Sequence, residues 1–124
     1  MTPRIPLLIA VLAAGAALAA ETKSTTSGDT HAFSATVNPG GVHEECVKLA
    51  KDESRRYEWS SSAATDFNIH YHEGQAVVMP ISREKAHSDA GVYVARIAQD
   101  YCLMWEAGAA GALINYRIQI RRAA

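Results

Sequence analysis

Apolar and polar residues alternate along most of this chain, and a period of two is typical of a β-strand with one buried face. The clearest case is the last such segment, where Ile114, Tyr116 and Ile118 alternate with polar side chains. Residues 66–74 repeat the pattern around Phe67. The spacing therefore predicts half-buried strands, and no stretch has the three-to-four spacing of an amphipathic helix.

The pattern predicts about eight short strands. They cover residues 31–37, 44–50, 54–60, 66–74, 76–81, 91–97, 100–105 and 114–121. Residues 60–62 and 83–89 are predicted breaks between strands, and Pro80 places its strand at a sheet edge or ends it. Short strands at regular spacing predict an all-β fold, an antiparallel β-sandwich for which eight strands permit a jelly roll.

The first nineteen residues have the composition of an export signal. Arg4 supplies a positive n-region, residues 7–18 form an apolar h-region, and residues 17–19 (Ala-Leu-Ala) suit a signal peptidase. We predict cleavage after Ala19 or one residue later, which makes the protein periplasmic or secreted. The alternative is an uncleaved anchor, but the apolar run is shorter than the ~20 residues that span a bilayer. We therefore expect no stable membrane span after cleavage.

The rest of the chain divides into two parts. Residues 20–30 are polar and rich in Thr and Ser, so they predict a flexible leader, and residues 31–122 form the predicted β-sandwich domain. The whole chain carries 12 Lys+Arg and 13 Asp+Glu, a net charge of -1 with His neutral. This balance gives no reason to expect a nucleic-acid partner.

Two cysteines, Cys46 and Cys102, lie in different predicted strands. In an oxidising compartment an isolated pair usually forms a disulfide, and closing a loop of this length is worth ~4 kcal/mol in the loop-entropy account. A metal site and a redox-active pair remain alternatives. The chain has no Cys-x-x-Cys motif, which argues against a thioredoxin-like role.

The order of several motifs resembles the Golgi-dynamics (GOLD) domain, the lumenal β-sandwich of the cargo receptors of the early secretory pathway. The resemblance covers roughly residues 42–121. It begins with a Cys-bearing strand (Cys46) and a strand that ends in aromatic residues (Tyr57 and Trp59). An F-x-I-x-Y strand follows (Phe67, Ile69 and Tyr71), then a G-x-Y segment (Gly91 and Tyr93). A second Cys-bearing strand ends the series (Tyr101-Cys102-Leu103-Met104-Trp105).

The resemblance implies a β-sandwich adaptor that binds a protein or lipid, with a disulfide between two strands that matches Cys46 and Cys102. The receptors continue into a coiled coil and a transmembrane helix, for which the printed sequence has no counterpart. We therefore expect a freestanding bacterial version, whose partner the resemblance does not identify.

The best candidate for chemistry is one face of the strand at 66–74. Asn68, His70 and His72 share that face, about 7 Å separating the two histidines. This face predicts an interaction surface. Alternatively, His70 and His72 bind copper or zinc as a metal site, because imidazoles two apart on one strand can converge on one ion. Five residues are candidates for a third ligand, and the sequence does not select among them: His31, His43, Glu73, Met79 and His87.

Aromatic residues in the strands form a second candidate. These residues are Tyr57, Trp59, Tyr71, Tyr101 and Trp105. One interpretation is that they line a hydrophobic or glycan-binding groove. The interpretation that we favour is that they fill the core of a small sandwich. No nucleophile, acid–base pair or phosphate loop stands at a recognisable spacing. We therefore expect a non-enzymatic exported domain without a cofactor that binds a protein or lipid partner in the cell envelope. A periplasmic copper- or zinc-binding protein is the alternative.

Overall fold

The computed structural model describes residues 23–27 and 30–123, and the predicted signal peptide and its cleavage site lie outside them. The described residues form seven β-strands: β1 (Lys23–Ser27), β2 (Thr30–Val37), β3 (Val42–Leu49), β4 (Ser54–Glu73), β5 (Ala76–Val94), β6 (Gln99–Ala107) and β7 (Ala112–Arg121). A membrane-crossing helix is absent from this part of the chain. The predicted all-β class is confirmed.

The seven strands form one antiparallel sheet in the order β1-β2-β7-β4-β6-β3, with β5 paired to β4 outside this path. The first half of β4 pairs with β7, from Ser54 to Ser61, and its second half pairs with β6, from Thr65 to His70. The pairing register of β4 with β5 shifts between Ser60 and Thr65. The sheet therefore curls at this point, and its two halves face each other like the layers of a sandwich.

The prediction of eight strands is wrong in count. Two pairs of predicted strands are continuous in the structure, since β4 runs through the serine run at 60–62 and β5 runs through the predicted loop at 83–89. Six strands thus replace the eight. A seventh strand, β1, lies within the segment that was predicted to be a flexible leader, and it pairs with β2. Register shifts let β4 and β5 continue where their alternation is interrupted.

Aromatic rings from both halves of the sheet fill the core. Trp105 of β6 lies 4.6 Å, centroid to centroid, from Tyr116 of β7, and Trp59 lies 5.2 Å from Phe67 across the bend of β4. The prediction that the strand aromatics fill the core is confirmed for the four that are buried: Tyr57, Trp59, Tyr101 and Trp105. The fifth, Tyr71, is half-buried and packs against the core.

A charged side chain is buried beneath the disulfide-bearing strands. Arg55 is 1% exposed, and its Nη1 donates to the backbone carbonyl oxygens of Glu45 (3.0 Å) and Tyr101 (3.2 Å). These two residues immediately precede Cys46 and Cys102. Burial lowers the pKa of the Arg55 guanidinium to about 10, while the Glu45 carboxylate opposes that shift. Arg55 therefore ties β4 to β3 and β6 at one point.

Candidate functional site

The predicted interaction residues lie on the outer face of β4, but they differ in exposure. Asn68 (7% exposed) and His70 (4% exposed) are buried, whereas His72 is exposed. The alternation alone predicted a solvent face for all three. Of these three side chains, only His72 is exposed enough to contact a partner.

His70 is held between an amide and a carboxylate. Its Nδ1 lies 2.7 Å from Asn68 Oδ1, and its Nε2 lies 3.6 Å from Glu44 Oε1 on β3. Burial lowers the pKa of His70, the Glu44 carboxylate opposes the shift, and His72 adds to it. Because an amide oxygen only accepts hydrogen bonds, the His70 Nδ1 is the ring atom placed to donate to Asn68, while the Nε2 is the atom on the Glu44 side.

The predicted disulfide is present. Cys46 of β3 lies directly opposite Cys102 of β6, with an S–S distance of 2.01 Å and a Cα–Cα distance of 4.0 Å. Within the described residues, the group of three donors lying within 4.8 Å of one another is Glu44, Cys46 and Cys102. Both sulfurs belong to the disulfide, so the oxidised protein does not offer them as thiolate ligands.

The two candidate metal-binding histidines are neighbours. The ring centroids of His70 and His72 lie 5.3 Å apart with the rings perpendicular. Among the proposed third ligands, His43 lies inside the sandwich, where its Nε2 is 2.8 Å from the hydroxyl of Tyr116. A further possible ligand is Glu44, whose Oε1 lies 3.6 Å from His70 Nε2. The sequence did not single it out, because it lies on β3, far from His70 along the chain.

A second feature is a shallow, open groove of about 780 Å³ on the outer face of the other half of the sheet. It crosses β2, β7, β4 and β5. Two rows of directly paired residues form its floor: Ala32, Arg117, Glu58 and Ala90 in one row, and Ser34, Asn115, Ser60 and Ser88 in the other. At the usual strand spacing each row is roughly 14 Å long.

The groove lining mixes polar and apolar groups. Ser34 donates a hydrogen bond to Asn115 Oδ1, and Arg117 lies 3.5 Å from Glu58 in an exposed ion pair. Asp89 adds a second carboxylate, and three aromatic residues also line the groove: Phe33, Trp59 and Tyr116. Small serine and alanine side chains between these groups keep the floor low. The groove can therefore hydrogen-bond a polar ligand.

The sequence did not predict this groove. Its floor residues are the outward-facing members of four alternating strands, and each segment on its own is typical of a solvated strand face. Strand pairing brings them together, and the alternation says which face a residue occupies but not which strand lies beside it.

No family model matches the chain, and no curated protein matches it. Among solved structures, it is similar to Aeromonas hydrophila PliG, a periplasmic lysozyme inhibitor of g-type lysozyme: the TM-score is 0.59 with 10% identity over 75% of this chain and 87% of that chain. It is also similar to TmCBM61, solved in complex with β-1,4-galactotriose: the TM-score is 0.51 with 11% identity over 75% of this chain and 71% of that chain.

Neither of these structures is a Golgi-dynamics domain. The all-β part of the resemblance is confirmed by the strand structure, and membership in that family stays a prediction. At such low identity the similarities show what fold the chain has: an all-β domain of the kind that PliG and TmCBM61 also adopt.

Proposed function

We propose that this chain is an exported, non-catalytic binding domain whose outer-face groove binds a neutral saccharide chain. The groove itself is the observation that supports the proposal, because hydroxyl, amide and ion-paired groups line an open channel across four strands. Export is supported by the N-terminal composition and by the disulfide, which is stable in oxidising compartments.

A saccharide can match the polar groups of this lining. Neighbouring sugar hydroxyls present paired donors and acceptors, which Asn115 and the Arg117–Glu58 pair can match. Trp59 and Tyr116, which also line the groove, are almost fully buried in the core. The fold likeness to a module solved with a galactotriose is in keeping with this proposal.

The proposal is tested by affinity electrophoresis of the oxidised mature protein in gels that contain neutral polysaccharides. Ser60→Tyr places a bulky ring on the groove floor, and Ser82→Tyr, on an exposed serine beside Asn68, is the matched control. We expect a polysaccharide to retard the wild type and Ser82→Tyr but not Ser60→Tyr. Retardation that Ser60→Tyr leaves intact contradicts a role for the groove.

The second candidate function is metal binding by the oxidised protein. The contact between His70 Nε2 and Glu44 Oε1 favours it, and the His72 ring lies 5.3 Å from the His70 ring, centroid to centroid. We propose copper or zinc as the ion. Elemental mass spectrometry after loading and dialysis should find a stoichiometric ion in the wild type and none in the His70→Ala/His72→Ala variant. An ion-free wild type contradicts this candidate.

A further inference from the structure

On the outer face of β3 and β6, three potential metal donors lie within 4.8 Å of one another, those of Glu44, Cys46 and Cys102, and a fourth, His70 of β4, contacts Glu44. Cys102 lies directly opposite both Cys46 and His70 in the strand pairing, so these three residues form a row across the strands. Glu44 precedes Cys46 by two positions and lies on the same face of β3. Its carboxylate is within 4.8 Å of both sulfurs, and one of its oxygens is 3.6 Å from His70 Nε2.

The placement of the His70 ring suits a ligand. Its Nδ1 lies 2.7 Å from Asn68 Oδ1, and metal-bound histidines usually donate their second ring N–H to an oxygen in this way. Its Nε2 lies on the other side of the ring, 3.6 Å from the Glu44 carboxylate. A cation bound between an imidazole nitrogen and a carboxylate oxygen is attracted by both.

We propose that the reduced form of this protein binds one zinc ion through Cys46 Sγ, Cys102 Sγ, His70 Nε2 and a Glu44 carboxylate oxygen. These are two thiolates, an imidazole and a carboxylate, a donor set of the type that holds Zn²⁺ tetrahedrally. Disulfide and metal site are then alternative states of the same two cysteines. The inference shares His70 with the second candidate function, but it needs reduction and does not need His72.

The chemistry balances with a thiol reductant. Two molecules of the reductant form a disulfide with each other, while the Cys46–Cys102 bond breaks and each sulfur takes a proton. Zinc binding then displaces both thiol protons to solvent. The two sulfurs then lie roughly 3.8 Å apart, as Zn–S bonds of about 2.3 Å at a tetrahedral angle require. Since Cys46 and Glu44 are exposed, an ion has access from solvent.

Cobalt(II) is the probe, because its bonds to thiolates give charge-transfer absorption that free thiols lack. The folded protein is reduced, freed of reductant by desalting without oxygen, and titrated while circular dichroism follows its strand content. We expect one cobalt per chain, thiolate absorption and preserved strand structure in the reduced wild type, and no such absorption in the oxidised one.

Three variants separate a built site from a bare pair of thiols. His70→Gln and Glu44→Gln should each weaken cobalt affinity about tenfold or more. His72→Gln, the matched control next to the site, should bind like the wild type. Because Glu44 is exposed, we expect Glu44→Gln to fold. It therefore still tests the site if His70→Gln, a change to a buried side chain, does not fold.

Three results overturn the proposal: no thiolate absorption in the reduced wild type, binding accompanied by loss of strand structure, or equal affinity in the wild type and Glu44→Gln. A metal bound only by the oxidised protein, and lost in His72→Gln, belongs to the second candidate function instead.

Discussion

A few polar residues are buried although polar side chains usually face solvent, and Arg55 is the clearest example. Its position two residues before Tyr57 puts it on the core face of β4, so the period of two already predicts its direction. The sequence does not show which groups accept hydrogen bonds from Arg55, since the carbonyl groups of Glu45 and Tyr101 belong to other strands. The burial of Asn68 and His70 was not predicted either, because it also depends on which strands lie beside β4.

Replacing Arg55 tests whether it supports the fold. Arg55→Met removes the donor to one buried and one partly buried carbonyl group, and we expect the free energy of unfolding to fall by about 2–4 kcal/mol. The neighbouring Arg56→Met, on the exposed face, should change it by less than about 0.5 kcal/mol. Urea unfolding measures both, and equal small effects contradict a structural role for Arg55.

His43 gives a prediction on pH. Burial lowers its pKa below the usual 6.5, with Glu45 opposing the shift, so the folded protein holds the neutral ring more firmly than the unfolded chain does. The unfolded chain then binds more protons, and stability is lost as the pH falls from above 6.5 through the lowered pKa. His43→Gln should weaken this pH dependence in urea unfolding.

The control for this pH experiment is His87→Gln, a change at an exposed position on β5. It should leave the dependence of the free energy of unfolding on pH as it is in the wild type. An undiminished dependence in His43→Gln shows that its titration does not contribute.

At the scale of elements, the strands were predicted better than their ends. The segments predicted at 44–50 and 114–121 correspond to β3 and β7, because their alternation is unbroken. The long strands β4 and β5 were divided in two, because a serine run and a charged segment are typical of loops. In the structure, Ser62 accepts a hydrogen bond from the Leu113 backbone at 2.8 Å, so that run is held by β7 instead.

The turn between β6 and β7 depends on a glycine. Gly111 has a φ of 68°, and a Cβ there would lie 2.9 Å from the carbonyl oxygen of Val37. Gly111→Ala should therefore destabilise the fold by about 1–3 kcal/mol, by thermal or urea unfolding. Gly108→Ala, in the same turn, meets no atom closer than 3.9 Å and should have little effect. Similar losses in both variants contradict the steric argument.

The disulfide joins two strands that are already neighbours in the sheet, and it closes a long loop of the unfolded chain. We expect the Cys46→Ala/Cys102→Ala variant to lose about 2–5 kcal/mol of unfolding free energy relative to the oxidised protein. A reductant should lower the urea midpoint of the wild type and leave that of the variant unchanged. A wild-type midpoint that reduction does not move contradicts a stabilising disulfide.

At the scale of the whole molecule, the chain is a curled sheet with two different outer faces. One carries the groove on β2, β7, β4 and β5, and the other carries the disulfide and His70. The composition and the strand pattern predicted the all-β class, the disulfide and the aromatic core. The pattern also placed Asn68, His70 and His72 on one face of their strand, but it did not show which strands lie beside them, since the bend of β4 decides which strands share each face.

The most direct test of the saccharide-binding proposal is an NMR titration of the oxidised mature protein with a neutral oligosaccharide, taken from the polysaccharide that retards it most. The account predicts amide shift changes concentrated at the groove floor, from Ser34 through Asn115 and Ser60 to Ser88, with none around Cys46. Shifts centred on the disulfide face, or no binding of any neutral saccharide, would contradict it.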